Sequence, residues 1–218
     1  MARDITAAFE SSRIIAICRK IYGEDLKRLA GAIYGGGIRM IEVTFDQSDP
    51  DCLKKTSESI QMISSDYPDM FVGCGTVLNL DQVKAAHTAG GTFIVSPNTN
   101  LGVISLTKSL GMMSFPGAMT PSEIVSAHDA GADYVKLFPA GNLGPAYVKA
   151  IRSPLNHIKL VMVGGVSAEN LADFLNAGAY GAGIGGKLCD KKLIEAGQFD
   201  QIEALAHSLT EIVKENVH

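Results

Sequence analysis

The chain has 218 residues, 46% of them hydrophobic, with 19 basic against 23 acidic side chains and a formal net charge of -4. That content fills a sizeable core and excludes a disordered chain, while a mild acidic balance without long like-charge runs argues against a nucleic-acid or anionic-membrane surface, so an anionic ligand must be met by local positive groups. Four cysteines, Cys18, Cys52, Cys74 and Cys189, lack paired or metal-type spacing and read as reduced thiols of a cytoplasmic protein, and no stretch has the apolar length of an export signal or a membrane span.

In chain order, the segment before Ile14 is predicted to be a short helix closing the bottom of the domain. Candidate strands come next: Ile14–Arg19, Met40–Phe45, Phe71–Val77, Thr92–Asn98, Met112–Ala118, Asp133–Ala140, Lys159–Gly165 and Ala182–Lys187. Each is short, apolar and rich in β-favouring residues. An amphipathic helical stretch lies between each pair, and Gln201–Glu215 reads as the final helix. Several helices end in a repeated small-residue signature, as in "YGGGIRMIEV", "TAGGTFIV", "DAGADYVKL" and "NAGAYGAGI", where glycine accepts the left-handed conformation that stops a helix. "TPSE" reads as a capping box, with Thr120 as N-cap, Pro121 at N1 and Glu123 at N3. Eight strand–helix alternations call for a parallel sheet, and eight units in this length favour a closed (β/α)8 TIM barrel over an open doubly wound sheet. With no linker or composition shift, residues 1–218 read as one barrel domain carrying its short N-terminal helix.

The alternation of strand residues then has a geometric meaning. In "DYVKLFPA", Tyr134, Lys136 and Phe138 share the face opposite Val135 and Leu137, which places a lysine toward the barrel axis near the C-terminal end of the sixth strand. The same argument turns Glu42 and Thr44 inward on the second strand, Thr76 inward on the third, and brings Arg19 to the end of the first. A lysine, a glutamate, a threonine and an arginine thus converge where active sites of barrels lie. Two plainer readings stand beside this one: a strand-end lysine whose head reaches water, and an internal Lys136–Glu42 salt bridge plugging the mouth. The five histidines fall on helices, a loop and the C-terminus, away from that face, so no metal site is expected. Without a metal electrophile, a carbonyl is activated by a lysine amine that forms an imine. Such a lysine must be partly neutral, and lowering its pKa from about 10.4 toward 7 or 8 destabilises its cation by roughly 4 kcal/mol, a demand that the apolar neighbours Tyr134, Phe138 and Pro139 suit.

Taken in order, "EVT", "GCGTVL", "SPN", "FPGAMTPSE", "VKLFPA", "VGGV" and "GIGG" on strands two to eight resemble the 2-dehydro-3-deoxyphosphogluconate (KDPG) / 4-hydroxy-2-oxoglutarate (KHG) aldolase family. The resemblance runs through nearly the whole chain. It implies a class I pyruvate aldolase, a lyase without a cofactor, typically a homotrimer, in which Lys136 forms the imine with pyruvate and Glu42 acts through water as acid and base. It further implies that Thr76 contacts the pyruvate carboxylate and that Pro97 and Phe138 shape the pocket.

The departures concern the substrate. Many members carry an arginine shortly after the "EVT" glutamate, where this chain reads "EVTFDQ", with Asp46 and Gln47; Arg19 is then the candidate for the carboxylate. The family's serine after the eighth-strand glycines is Lys187. The pairs Gly164–Gly165 and Gly185–Gly186 stand where this fold cradles phosphate with backbone amides, though tight turns alone would also place glycine there. Lys187 would reinforce such a cradle, grip a distal carboxylate or simply be solvated. Three functions stay open at this level: an aldolase releasing glyceraldehyde 3-phosphate or glyoxylate beside pyruvate, a phosphate-binding barrel isomerase or decarboxylase without a covalent intermediate, and a relative that has lost turnover.

Overall fold

The small-residue stops read in the sequence act as expected in the computed structural model, which describes residues 4–216. Gly37, Gly90, Gly111, Gly131 and Gly178, each just past a helix, all have positive φ, and each returns the chain to a strand. The strands are β1 (Ile14–Cys18), β2 (Met40–Thr44), β3 (Phe71–Gly75), β4 (Phe93–Val95), β5 (Met113–Phe115), β6 (Gly117–Ala118), β7 (Val135–Leu137), β8 (Leu160–Val163) and β9 (Gly181–Ile184). Every paired neighbour is parallel, and β9 pairs with β1, Ile14 opposite Ala182.

Nine segments appear where eight were expected because the fifth is broken at Pro116. A proline has no amide to give a ladder. β5 pairs with β4, Phe93 opposite Met113, and β6 with β7, Gly117 opposite Lys136, while the Lys136 amide donates to the Pro116 carbonyl at 2.8 Å. β5 and β6 are therefore one stave of a (β/α)8 barrel. The predicted strands Thr92–Asn98 and Asp133–Ala140 shrink to β4 and β7 for a related reason. Pro97 and Pro139 have no amide to continue a ladder, although Ser96 and Phe138 before them still donate to the neighbouring strands, and Pro97 and Phe138 face the mouth.

The helices are α1 (Ile5–Ser12), α2 (Gly23–Gly35), α3 (Cys52–Asp66), α4 (Leu80–Thr88), α5 (Leu101–Ser109), α6 (Pro121–Asp129), α7 (Ala140–Arg152), α8 (Leu171–Asn176), α9 (Lys191–Glu195) and α10 (Phe199–Asn216). None of them is long and apolar enough to cross a membrane. The capping box of α6 forms, with the Thr120 hydroxyl accepting from the Glu123 amide and Glu123 accepting from the Thr120 amide.

Two apolar layers result. The outer one lies between strands and helices, and the inner one fills the barrel with Phe9, Ile15, Met40, Phe71, Phe93, Phe115 and Tyr134 among its members. Phe9 of α1 is fully buried and meets Phe115 and Tyr134 edge-on, with ring centres 5.5 and 4.8 Å away, while Phe115 and Tyr134 stack at 5.0 Å. The short N-terminal helix thus seals the bottom. Gly73 leaves room for the Phe93 ring, which a β-carbon there would overlap. Close packing fills the lower barrel with rings and leaves the polar groups to the upper end.

Candidate active site

β7 carries the sequence alternation to its conclusion. Tyr134 belongs to the sealed aromatic floor, Lys136 stands one step higher, and Phe138 at the mouth is 37% exposed. Lys136 is 6% exposed, with Nζ 5.0 Å from the centre of the Phe138 ring. Glu42, on β2, is 2% exposed. Its carboxylate lies over the bare backbone of Gly75, where a β-carbon would overlap Glu42 Oε1.

Burial governs both ionisations. It pushes the Lys136 ammonium below the usual lysine range against the attraction of Glu42, and the Arg19 charge adds to the depression. It likewise pushes the Glu42 carboxyl up, opposed by Lys136 and Arg19. Among the described residues the two groups form no ion pair with each other, so the salt-bridge plug does not form, and the attraction felt between them is through space. Desolvation outweighs that attraction for both partners, which favours their neutral forms.

Above this pair opens a cavity of about 910 Å³. Lys136, Glu42, Arg19, Thr76, Pro97 and Phe138 all line it, and so do Gly164, Gly165, Gly185, Gly186 and Lys187. Every candidate site residue of the sequence is therefore brought to one place. Thr44 is buried on β2 but does not line the cavity. Sequence reasoning missed Lys20, Cys189, Asp190, Lys191 and Lys192, which also line it; "CDKK", two residues after the glycine pair, was the available signal.

Asp46 and Gln47, which stand where the resemblance expects an arginine, each make defined contacts. Asp46 pairs with Lys20 at 2.8 Å, and that contact, with bonds from Ser48, lowers its carboxyl to about 2. Its negative charge is thus engaged by Lys20, and Arg19 is left at the rim without an ion pair among the described residues. Gln47 donates to the Thr76 carbonyl at 2.8 Å and accepts from Gln82, which in turn accepts from the Leu78 amide. This relay braces a turn in which Thr76 sits at φ 56°, a conformation that non-glycine residues rarely hold. Gly164 and Gly165 have φ 85° and 78°, and Gly165 packs against the Gly141 backbone, so side chains are excluded there by both strain and space. Among the described residues the amides of Gly165 and Gly186 donate to no protein acceptor, and no group of three or more His, Cys, Asp and Glu side chains is placed to share a metal ion.

A desolvated lysine near a buried carboxyl at the C-terminal mouth of a parallel barrel, below a rim of glycines and lysines, defines an enzyme class built to work on a carbonyl through an amine. The family model described as KDPG and KHG aldolase matches residues 5–205, and the chain belongs to that family. It is 35% identical to the 2-dehydro-3-deoxy-6-phosphogalactonate aldolase of Escherichia coli (strain K12), over 92% of this chain and 93% of that one. It is 34% identical to the 2-dehydro-3-deoxy-phosphogluconate aldolase of Treponema pallidum (strain Nichols), over 96% and 97%. Among solved structures, the KDPG aldolase of Legionella pneumophila, with pyruvate captured at low pH as a covalent carbinolamine, superposes with a TM-score of 0.82 at 26% identity, covering 93% of this chain and 96% of that one.

Proposed function

We propose that Lys136 is the imine-forming residue and Glu42 the acid and base of this enzyme. The chain is a lyase, a class I aldolase that splits a 2-oxo-4-hydroxy acid into pyruvate and an aldehyde. The observation that carries the assignment of roles is the burial of Lys136 in the cavity wall, without an ion pair among the described residues, which disfavours its charged form and so eases access to the neutral amine. The neutral amine adds to the C2 carbonyl, and loss of water gives the iminium. Glu42, through water, removes the C4 hydroxyl proton; the C3–C4 bond breaks, the aldehyde leaves and its electrons pass to the iminium, giving an enamine. Protonation at C3 and hydrolysis release pyruvate. Arg19 and Thr76 hold the carboxylate, and Pro97 and Phe138 wall the reacting carbons. Treatment with pyruvate and borohydride tests the reading: the adduct is expected on Lys136, and an adduct elsewhere, or none, sinks it.

The substrate we favour is phosphorylated. The unengaged amides of Gly165 and Gly186 and the ammonium of Lys187 support it, as do the phosphorylated sugar acids in the names of both relatives. The working form we assign is a cytoplasmic homotrimer, supported by the family resemblance and by the exposed apolar side chains of Leu78, Leu80 and Leu101. Size in solution tests the trimer.

A further inference from the structure

We infer that Cys18 and Cys189 form a redox-modification site, in which a peroxide joins their sulfurs and the resulting disulfide draws the loop carrying Gly186 and Lys187 toward β1. The two residues are 171 positions apart in sequence, yet their sulfurs lie 3.8 Å from each other as free thiols. Cys18 is the last residue of β1 and is fully buried, whereas Cys189 belongs to the loop between β9 and α9 and lines the cavity. A small oxidant dissolved in the cavity therefore meets Cys189 first. Cys18 is held as a thiol by its bond with Cys189 and by burial, so its proton must depart as it attacks.

The chemistry balances with one peroxide. The Cys189 sulfur attacks a peroxide oxygen, the O–O bond breaks, and a sulfenic acid and water form. The Cys18 sulfur then attacks the Cys189 sulfur; the S–S bond forms, the S–O bond breaks, and hydroxide leaves as water with the Cys18 proton. Bonding requires the sulfurs to approach to about 2.05 Å. β1 is held by ladders to β2 and β9 on its two sides, so it is the loop that moves. The Leu188 and Cys189 amides both donate to the Gly185 carbonyl at 2.8 Å, which makes residues 185–189 a unit, and a β-carbon at Gly186 would meet nothing within 4 Å, so the unit has space. Its movement displaces the Gly186 amide and Lys187. The consequence for catalysis rests on the phosphate-binding reading above, while formation of the bond does not.

The test is to expose reduced protein to hydrogen peroxide, alkylate it and map its peptides without reduction. The expected map links the Cys18 and Cys189 peptides and leaves Cys52 and Cys74 alkylated. KM for a phosphorylated 2-oxo-4-hydroxy acid should rise about tenfold, the effect of losing roughly one charged contact, and return with dithiothreitol, while borohydride trapping of pyruvate persists. Cys18→Ala and Cys189→Ala should each abolish the peroxide effect on KM, and the loop position of Cys189 makes its variant the safer to fold. A sulfinic acid on Cys189 with no link to Cys18, or a link to another cysteine, would overturn the inference, whereas a mapped Cys18–Cys189 disulfide with unchanged KM would overturn the phosphate-binding reading instead. Failure of pyruvate to trap on Lys136 in the reduced enzyme overturns the lysine assignment instead and leaves the peptide map as it is.

Discussion

Tyr134, just before β7, and Lys136, within it, lie two residues apart on one face and obey opposite rules. At the lower end Tyr134 stacks on Phe115 and meets Phe9, and burial there is packing, with every ring in contact with another. At the upper end Lys136 is buried nearly as deeply, near a carboxylate with which it forms no ion pair, under an open cavity. The lower end contributes stability and holds no chemistry. The upper end gives up stability to keep an ionisable amine and a carboxyl out of water, a pattern expected where function and folding compete. Burial in a barrel thus acquires its meaning from the layer in which it occurs.

Substitutions pull the two ends apart. Lys136→Met should eliminate turnover and pyruvate trapping altogether, while the urea midpoint falls no lower than that of the wild type, because an apolar chain replaces a desolvated ammonium; a large loss of stability would show that the lysine holds the barrel together. Glu42→Gln should slow turnover by about 10²–10⁴, the usual share of acid–base catalysis, with imine formation better preserved. The same variant fixes a sign. Burial and Arg19 lower the Lys136 pKa while Glu42 raises it, so removing the carboxylate should move the pH midpoint of imine formation downward, and Arg19→Ala should move it upward. Trapping rates measured across pH decide both directions. At the other end, Phe9→Ala should destabilise the fold by about 3–5 kcal/mol in urea titrations and leave kcat within a few-fold; a comparable loss of kcat would mean the two ends are coupled. The smallest effect belongs to the rim, where Lys187→Ala should raise KM for a phosphorylated substrate about tenfold, with little change for 4-hydroxy-2-oxoglutarate. Equal effects on both substrates would leave the glycine pairs as turns.

Much of this is legible in the sequence, because a strand has a period and a helix stop has a chemistry. The eightfold alternation, the glycine stops and the capping box at Thr120 predict the barrel, and the inward side of each strand predicts that Lys136, Glu42, Thr76 and Arg19 converge. The features that sequence reasoning misses have no period. The break at Pro116 depends on which amides each neighbouring strand needs. The Lys20–Asp46 pair joins the segments that follow β1 and β2, and the Gln47–Gln82 relay joins the segment after β2 to α4. Cys189 and Lys191 reach the cavity from a loop and the start of α9, where no alternation says which way a side chain turns. Cys18 reads as a reduced thiol, and its neighbour in space, Cys189, lies across the barrel closure, 171 positions away.

Gly75 constrains how this enzyme can change over generations. A methyl group at that position would occupy the place of the Glu42 carboxylate, so the two positions are not free to vary independently. Gly75→Ala alone displaces the carboxyl proposed as the acid and base, whereas the same change in a Glu42→Asp background meets a side chain one methylene shorter. The double variant is therefore less impaired than the sum of its parts, a non-additive coupling between adjoining strands. Libraries that randomise position 75 while Glu42 is kept should recover wild-type glycine there.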